Sequence, residues 1–245
     1  MMYVSRLPGI RLAYEFLPGH GPVLVFCPGY ASDMAGTKAL ALEAWCKTHG
    51  RSMLRFDYAG HGASEGLFIE NGIGDWAADA AFIIDHVAAA SDIVLVGSSM
   101  GGWISLLLGE RLQGQLKAMV LIAPAPDFTE TLMDRELTPE QRATLEQTGI
   151  VYQPSDYGAP LPFSRALIER SAAHLVMKEK IGITCPVRIL HGMKDDAVPW
   201  QLSLKLVENL ASTDVELVYV KEGDHRLSEP QDLALLMRTL GALLG

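Results

Sequence analysis

Short aliphatic runs, each bounded by Gly, Pro or polar residues, alternate with longer stretches of helical periodicity, and this rhythm most restricts what the chain can fold into. The runs are Val23–Phe26, Ser52–Phe56, Asp92–Val96, Ala118–Ile122, Val187–Leu190 and Val215–Val220. Helical patterns lie at Gly36–His49, Asp75–Ala90, Met100–Leu112, Trp200–Leu210 and Glu229–Leu244. Strands that are apolar without alternation are buried on both faces, which parallel sheets require. The expected fold is α/β, with a mostly parallel central sheet flanked by helices. Tyr3–Phe16 reads as one or two antiparallel edge strands. With 245 residues, 49% of them hydrophobic, the chain can bury one large core, and a single domain is expected.

The rhythm breaks from about Ala125 to Gly182, where Pro, Asp, Glu and Arg accumulate. Only short helical pieces are expected there, such as Thr138–Gln147 and Phe163–Lys180. This is too long for a connecting loop and predicts a small helical cap inserted over a site; a surface excursion is the plainer alternative.

The segment Gly97-Ser98-Ser99-Met100-Gly101 follows a buried-strand pattern and opens a helical one. In that context G-x-S-x-G is a nucleophile elbow, a sharp turn that exposes the Ser99 hydroxyl at a helix N-terminus. A hydroxyl needs a base to take its proton and a carboxylate to orient the base. This signature resembles that of the α/β-hydrolases, in which the triad runs Ser, acid, His along the chain. Of the seven histidines, only His225 remains beyond the segment after Val187–Leu190 that should deliver the acid, and it sits in a polar turn after Val215–Val220. Asp195 and Asp196, adjacent in the segment after Val187–Leu190, are both candidates for the acid. Two backbone amides must then stabilise the oxyanion. The expected donors are Met100, next to the nucleophile, and Tyr30, in the loop Cys27-Pro28-Gly29-Tyr30 after the first aliphatic run.

Other features have plainer readings. Asp57 and His61, in a Gly-rich turn, could be a metal site or an alternative triad, but their place ahead of Ser99 favours a structural loop near the sheet edge. His20, His49, His86 and His174 are expected to be solvated, and His191 to pack beneath the acid loop. Cys27 has no histidine placed to activate it and reads as a small buried residue. Trp103, Phe163 and Trp200 could line an acyl pocket or belong to the core.

Composition narrows the class. A net charge of −9 without a basic block argues against nucleic acid and anionic membranes as partners. Cys27, Cys46 and Cys185 show no disulfide or zinc spacing. No run reaches the roughly 18 apolar residues of a membrane span. The N-terminal residues do not read as a signal or transit peptide, so a cytoplasmic, bacterial-like setting is expected.

Pro28-Gly29-Tyr30, Gly36 to Ala41, Arg55 to Tyr58, Gly97 to Trp103, His191 to Asp196, Val198 to Trp200 and Asp224 to Arg226 together resemble one family closely. It is that of the mitochondrial α/β-hydrolase-domain-containing protein ten and its bacterial relatives. The likeness runs from about Gly21 to the C-terminus and is weakest across the expected cap. It implies a serine esterase or thioesterase that needs no cofactor or metal. Implied substrates are small esters or thioesters, acyl glucuronides such as that of mycophenolic acid, and S-palmitoylated proteins. By position it implies the triad Ser99, Asp195 and His225. The HGxxDxxVP run shared by such hydrolases favours Asp195, with Asp196 in reserve. The fold also hosts perhydrolases, C–C hydrolases and ligand-binding relatives without turnover.

Overall fold

Val23, Val25 and Cys27 face one side of strand His20–Cys27 (β3) and Leu24 and Phe26 the other, and all five are buried. Strand Ile93–Ser98 (β5) divides in the same way, Ile93 and Leu95 against Val94 and Val96. Strands with two apolar faces need helices on both sides. Helices Thr37–Thr48 (α1) and Pro230–Leu244 (α8) cover the Leu24 face through Leu42, Cys46, Leu236 and Leu240. Helices Ile73–Ala88 (α2) and Met100–Arg111 (α3) cover the Val25 face through Trp76, Ile83, Ile104 and Leu108. The computed structural model describes residues 1–7, 9–154 and 159–245, with Arg135 and Glu136 described by backbone alone.

Among the described residues the central sheet has eight strands. With Met2–Leu7 (β1), Ile10–Leu17 (β2), Arg51–Phe56 (β4), Leu116–Ile122 (β6), Val187–Gly192 (β9) and Val215–Val220 (β10), their order is β1-β2-β4-β3-β5-β6-β9-β10. The pairs β1–β2 and β2–β4 are antiparallel, and every other pair is parallel. The expected N-terminal edge is thus two strands, Pro8 lying outside the described residues. From β3 the chain winds through α1 to β4 on one side, then through α2 back past β3 to β5 on the other. The loops after β3 and β5 therefore leave the sheet where its winding reverses, the position at which open α/β sheets form a crevice.

Between β6 and β9 the chain adds Phe128–Thr131 (α4), a π-helical turn Leu132–Glu136, and Pro139–Thr148 (α5). A hairpin of Ile150–Gln153 (β7) and Leu161–Ser164 (β8) follows, then Arg165–Ser171 (α6) and a 3-10 turn Ala172–His174. Residues 155–158 of the expected insert lie outside the described residues. Thr138 caps α5 reciprocally: its Oγ1 accepts from the Gln141 amide at 3.2 Å, and Gln141 Oε1 accepts from the Thr138 amide at 2.9 Å. The helix expected over Phe163–Lys180 is shorter than its periodicity implied. Phe163 belongs to β8, and Ser164 starts α6 by accepting from the Leu167 amide at 3.0 Å. Beyond His174, the amides of Val176 and Met177 donate to the Asp127 carboxylate at 2.9 and 2.8 Å, which takes them out of a helical ladder. Among the described residues no helix is long and apolar enough to cross a membrane.

Candidate active site

Ser99 joins β5 to α3 with φ 54° and ψ −119°, a conformation that a residue with a side chain adopts only when its surroundings hold it there. Its amide donates to Ile122 O at 2.9 Å, and its own carbonyl accepts from the amides of Gly102 and Ala125. The flanking glycines are needed because backbone passes where a Cβ would stand. A methyl on Gly97 would lie 2.4 Å from Gly101 O, and one on Gly101 would lie 2.0 Å from Cys27 O and 2.6 Å from Pro28 O. The elbow is thus wedged between its own helix and the end of β3. Gly101→Ala is expected to cost about 3 kcal/mol, lowering the melting temperature by roughly 10 °C, which calorimetry measures.

His225, in the turn after β10, reaches Ser99 and Asp195 together. The Ser99 hydroxyl faces His225 Nε2 at 2.9 Å, and His225 Nδ1–H donates to Asp195 Oδ2 at 2.7 Å. The Asp195 side chain is fully buried, whereas Asp196 is exposed. Asp195 Oδ1 accepts the amides of Ala197 and Val198 at 3.0 and 2.7 Å, and Oδ2 also accepts His191 Nε2–H at 3.0 Å. Burial works to raise the pKa of this carboxyl. Hydrogen bonds from His191 and His225, the charge of His225 and the Val198 amide outweigh that and bring it down to about 2. The acid and base loops touch because residue 192 is glycine: a Cβ there would meet Gly223 O at 2.2 Å. They are stitched by Met193 N to Val220 O at 2.8 Å and Lys194 N to Gly223 O at 2.9 Å.

The loop after β3 runs beside the nucleophile: a Cβ on Gly29 would lie 3.4 Å from Ser99 Cβ. It turns tightly, with Ser32 N bonded to Gly29 O at 3.1 Å and Ala31 at φ 52°. Met100 occupies the first turn of α3, where amides have no intrahelical acceptor. Neither the Tyr30 nor the Met100 amide has a protein acceptor among the described residues. Tyr30 adds something the sequence did not reveal. Its phenol donates to Pro162 O at 2.5 Å, its ring stacks on Phe163 with centroids 5.1 Å apart, and its edges meet Phe68, Trp76 and Phe128. One side chain therefore ties the loop beside Ser99 to the β7–β8 hairpin.

Of the other aromatic candidates, only Phe163 stands next to this loop. Trp103 is fully buried, donates from Nε1 to His174 O at 2.9 Å and meets Phe128 edge-on, so it is a core residue. Trp200 packs edge-on against Tyr219 of the edge strand β10. His174, expected in solvent, is half-buried, its ring set over Gly74, which leaves the room. Asp57 accepts the amides of Met34 and Ala63 at 2.7 and 2.8 Å, holding two loops together. That turn follows β4, an interior strand flanked by β2 and β3, so it does not lie near the sheet edge as expected. Burial pushes neighbouring His61 down to about 4. Burial likewise pushes the Cys27 thiol up to about 12, consistent with a small core residue.

Sequence reasoning missed Lys38 and Ser203. Half-buried Lys38 at the start of α1 donates to Arg226 O at 2.5 Å and Ser228 Oγ at 3.2 Å, pinning the chain just beyond His225. Burial and the charge of Arg226 lower its pKa to about 8. Partners 188 positions apart leave no local signal. Ser203, in Gln201–Asn209 (α7), contacts His191 Nδ1 at 2.6 Å; a polar residue on the inner face of an amphipathic helix was the available clue.

Comparison with known proteins places the chain in a family. A family model described as serine aminopeptidase, S33, matches residues 20–154. The human mitochondrial palmitoyl-protein thioesterase ABHD10 is 39% identical over 246 residues, which is 100% of this chain and 80% of the relative. The crystal structure of a putative hydrolase from Agrobacterium vitis S4 superposes with TM-score 0.94 at 41% identity, covering 100% of this chain and 97% of the other. The mouse α/β-hydrolase domain-containing protein 10 superposes with TM-score 0.90 at 38% identity, covering 99% and 97%. The mitochondrial label of the human relative does not support the cytoplasmic setting expected from the N-terminal residues.

Proposed function

The chain belongs to the serine aminopeptidase S33 family of α/β-hydrolases and to the group of the ABHD10 thioesterases, and it is an ester or thioester hydrolase; from that premise we propose that Ser99, His225 and Asp195 hydrolyse acyl substrates through an acyl-enzyme. The unbroken chain Ser99 Oγ, His225 Nε2, His225 Nδ1, Asp195 Oδ2, with steps of 2.9 and 2.7 Å, carries this reading. Ser99 Oγ attacks the acyl carbonyl as its proton passes to His225 Nε2. The amides of Tyr30 and Met100 bind the oxyanion, and His225 returns the proton to the departing alcohol or thiol. Water repeats the sequence on the acyl-enzyme, with His225 again as base. Asp195 stays ionised and holds the imidazole in the productive tautomer.

The substrate class is the acyl group of a thioester or activated ester, with S-palmitoylated protein first, as the name of the human relative suggests. We read the segment 125–182 as a lid over the site, and the Tyr30–Phe163 stack as the wall that meets the acyl chain. The test is mass spectrometry of enzyme quenched during turnover of an S-palmitoyl peptide and of a short p-nitrophenyl ester. The peptide carrying Ser99 should gain the mass of the acyl group from both, with the S-palmitoyl peptide giving the higher kcat/KM. An adduct on another residue overturns the mechanism; a faster short ester overturns the place of S-palmitoylated protein as the first substrate.

A further inference from the structure

Behind the triad stands a second imidazole that the mechanism does not use. His191, at the end of β9, is fully buried, and a ring in that position is costly unless both nitrogens are bonded. Nε2 lies 3.0 Å from Asp195 Oδ2 and 3.2 Å from Val198 O. Both are acceptors only, so Nε2 carries the proton. Nδ1 is then the acceptor, and the hydroxyl 2.6 Å away, on fully buried Ser203, donates to it. The tautomer of the ring is therefore set from both ends.

We propose that His191, locked by Ser203, is a positioning residue that anchors the Asp195 carboxylate so that Oδ2 steers His225. The inference rests on the triad reading above. Oδ1 is held by the main-chain amides of Ala197 and Val198, and Oδ2 is shared by two imidazoles. Without His191, Oδ2 would be held only by His225, the group it has to orient. With His191, the acid is fixed to elements outside the catalytic loops: strand β9 through the His191 backbone and helix α7 through Ser203. The low pKa of Asp195 agrees, since hydrogen bonding from His191 stands alongside that from His225 among the effects that lower it. A buried network of this kind has its effect through completeness, because a carboxylate missing one donor is both less stable and less fixed.

The variants His191→Leu, His191→Gln and Ser203→Ala test this, with a short p-nitrophenyl ester as substrate and His225→Ala as reference. His191→Leu is expected to lower kcat roughly ten- to hundred-fold, the size of a lost hydrogen bond to a charged group, with KM held within about two-fold. It should also move the acidic limb of the kcat/KM profile to higher pH, because a carboxylate with one donor fewer holds a protonated His225 more strongly. His191→Gln, which can place an amide N–H near the Nε2 position, should recover most of kcat. Ser203→Ala should shift the same quantities less. Because His191→Leu can fail to fold, nitrogen-15 NMR of histidine in the wild-type protein supplies a second reading, in which His191 should be the Nε2–H tautomer. An Nδ1–H tautomer overturns the inference. So does a folded His191→Leu with wild-type kcat and acidic limb while His225→Ala is inactive. Full turnover by His225→Ala would instead overturn the triad reading beneath it.

Discussion

Ser99→Ala should lower kcat for a p-nitrophenyl ester by about 10⁶-fold and abolish labelling by a fluorophosphonate probe. The size follows from what the proposed mechanism loses: with no hydroxyl, His225 has no proton to take and no covalent intermediate forms, so only the proposed oxyanion donors, the amides of Tyr30 and Met100, remain to stabilise charge. Substrate affinity should hardly change, because the proposed acyl wall of Tyr30 and Phe163 is untouched. The same position predicts a trade between stability and activity. Ser99 sits at φ 54°, so Ser99→Gly should be as inactive as Ser99→Ala yet more stable than wild type by about 1 kcal/mol, through release of backbone strain. Chemical denaturation measures the second effect and probe labelling the first. Equal labelling of wild type and Ser99→Ala would remove Ser99 from the mechanism.

The sheet could be read in the sequence because its inner strands are apolar on both faces. Val23 to Cys27 and Ile93 to Val96 leave no alternative to burial between helices, and Val215–Val220 is matched at both ends. His225 was legible from chain order alone. The choice of Asp195 over Asp196 rested on the HGxxDxxVP resemblance and not on chain order, since neighbours of one chemical type differ only in how the backbone turns. Here the amides of Ala197 and Val198 fold back onto Asp195 Oδ1 and leave Asp196 outside. The helix expected over Phe163–Lys180 is overextended for a similar reason. Phe163–Lys180 has helical periodicity, but Asp127, about fifty positions away, claims the amides that would have continued the helix. Trp103 stayed open between pocket and core because its position beside the elbow is visible in sequence, whereas its packing against Phe128 of α4 and its bond to His174 O are not. Lys38 lay beyond reach because its partners are set by the tertiary fold, and Ser203 offered only the clue of a polar residue on the inner face of α7.

Asp195→Asn and Asp196→Asn separate the two acids by function. Asp195→Asn is expected to lower kcat by about 10⁴-fold, because an amide N–H in place of Oδ2 favours the tautomer of His225 with its proton on Nε2, where it cannot accept from Ser99. Asp196→Asn, at an exposed carboxylate, should stay within about two-fold of wild type. Stability gives an independent reading. The Asp195 carboxyl has its folded pKa lowered from 3.8 to about 2, so the folded state favours the ionised form, which adds about 2 kcal/mol. That contribution is complete above the unfolded value and is lost as pH falls through the folded one. The melting temperature of wild type should therefore exceed that of Asp195→Asn by a constant margin near neutrality. The margin should shrink between about pH 4 and pH 2, while Asp196→Asn follows wild type throughout. If Asp196→Asn carried the larger loss of kcat, the acid would move one residue along the chain. The four donors around Asp195 would then need a purpose other than catalysis.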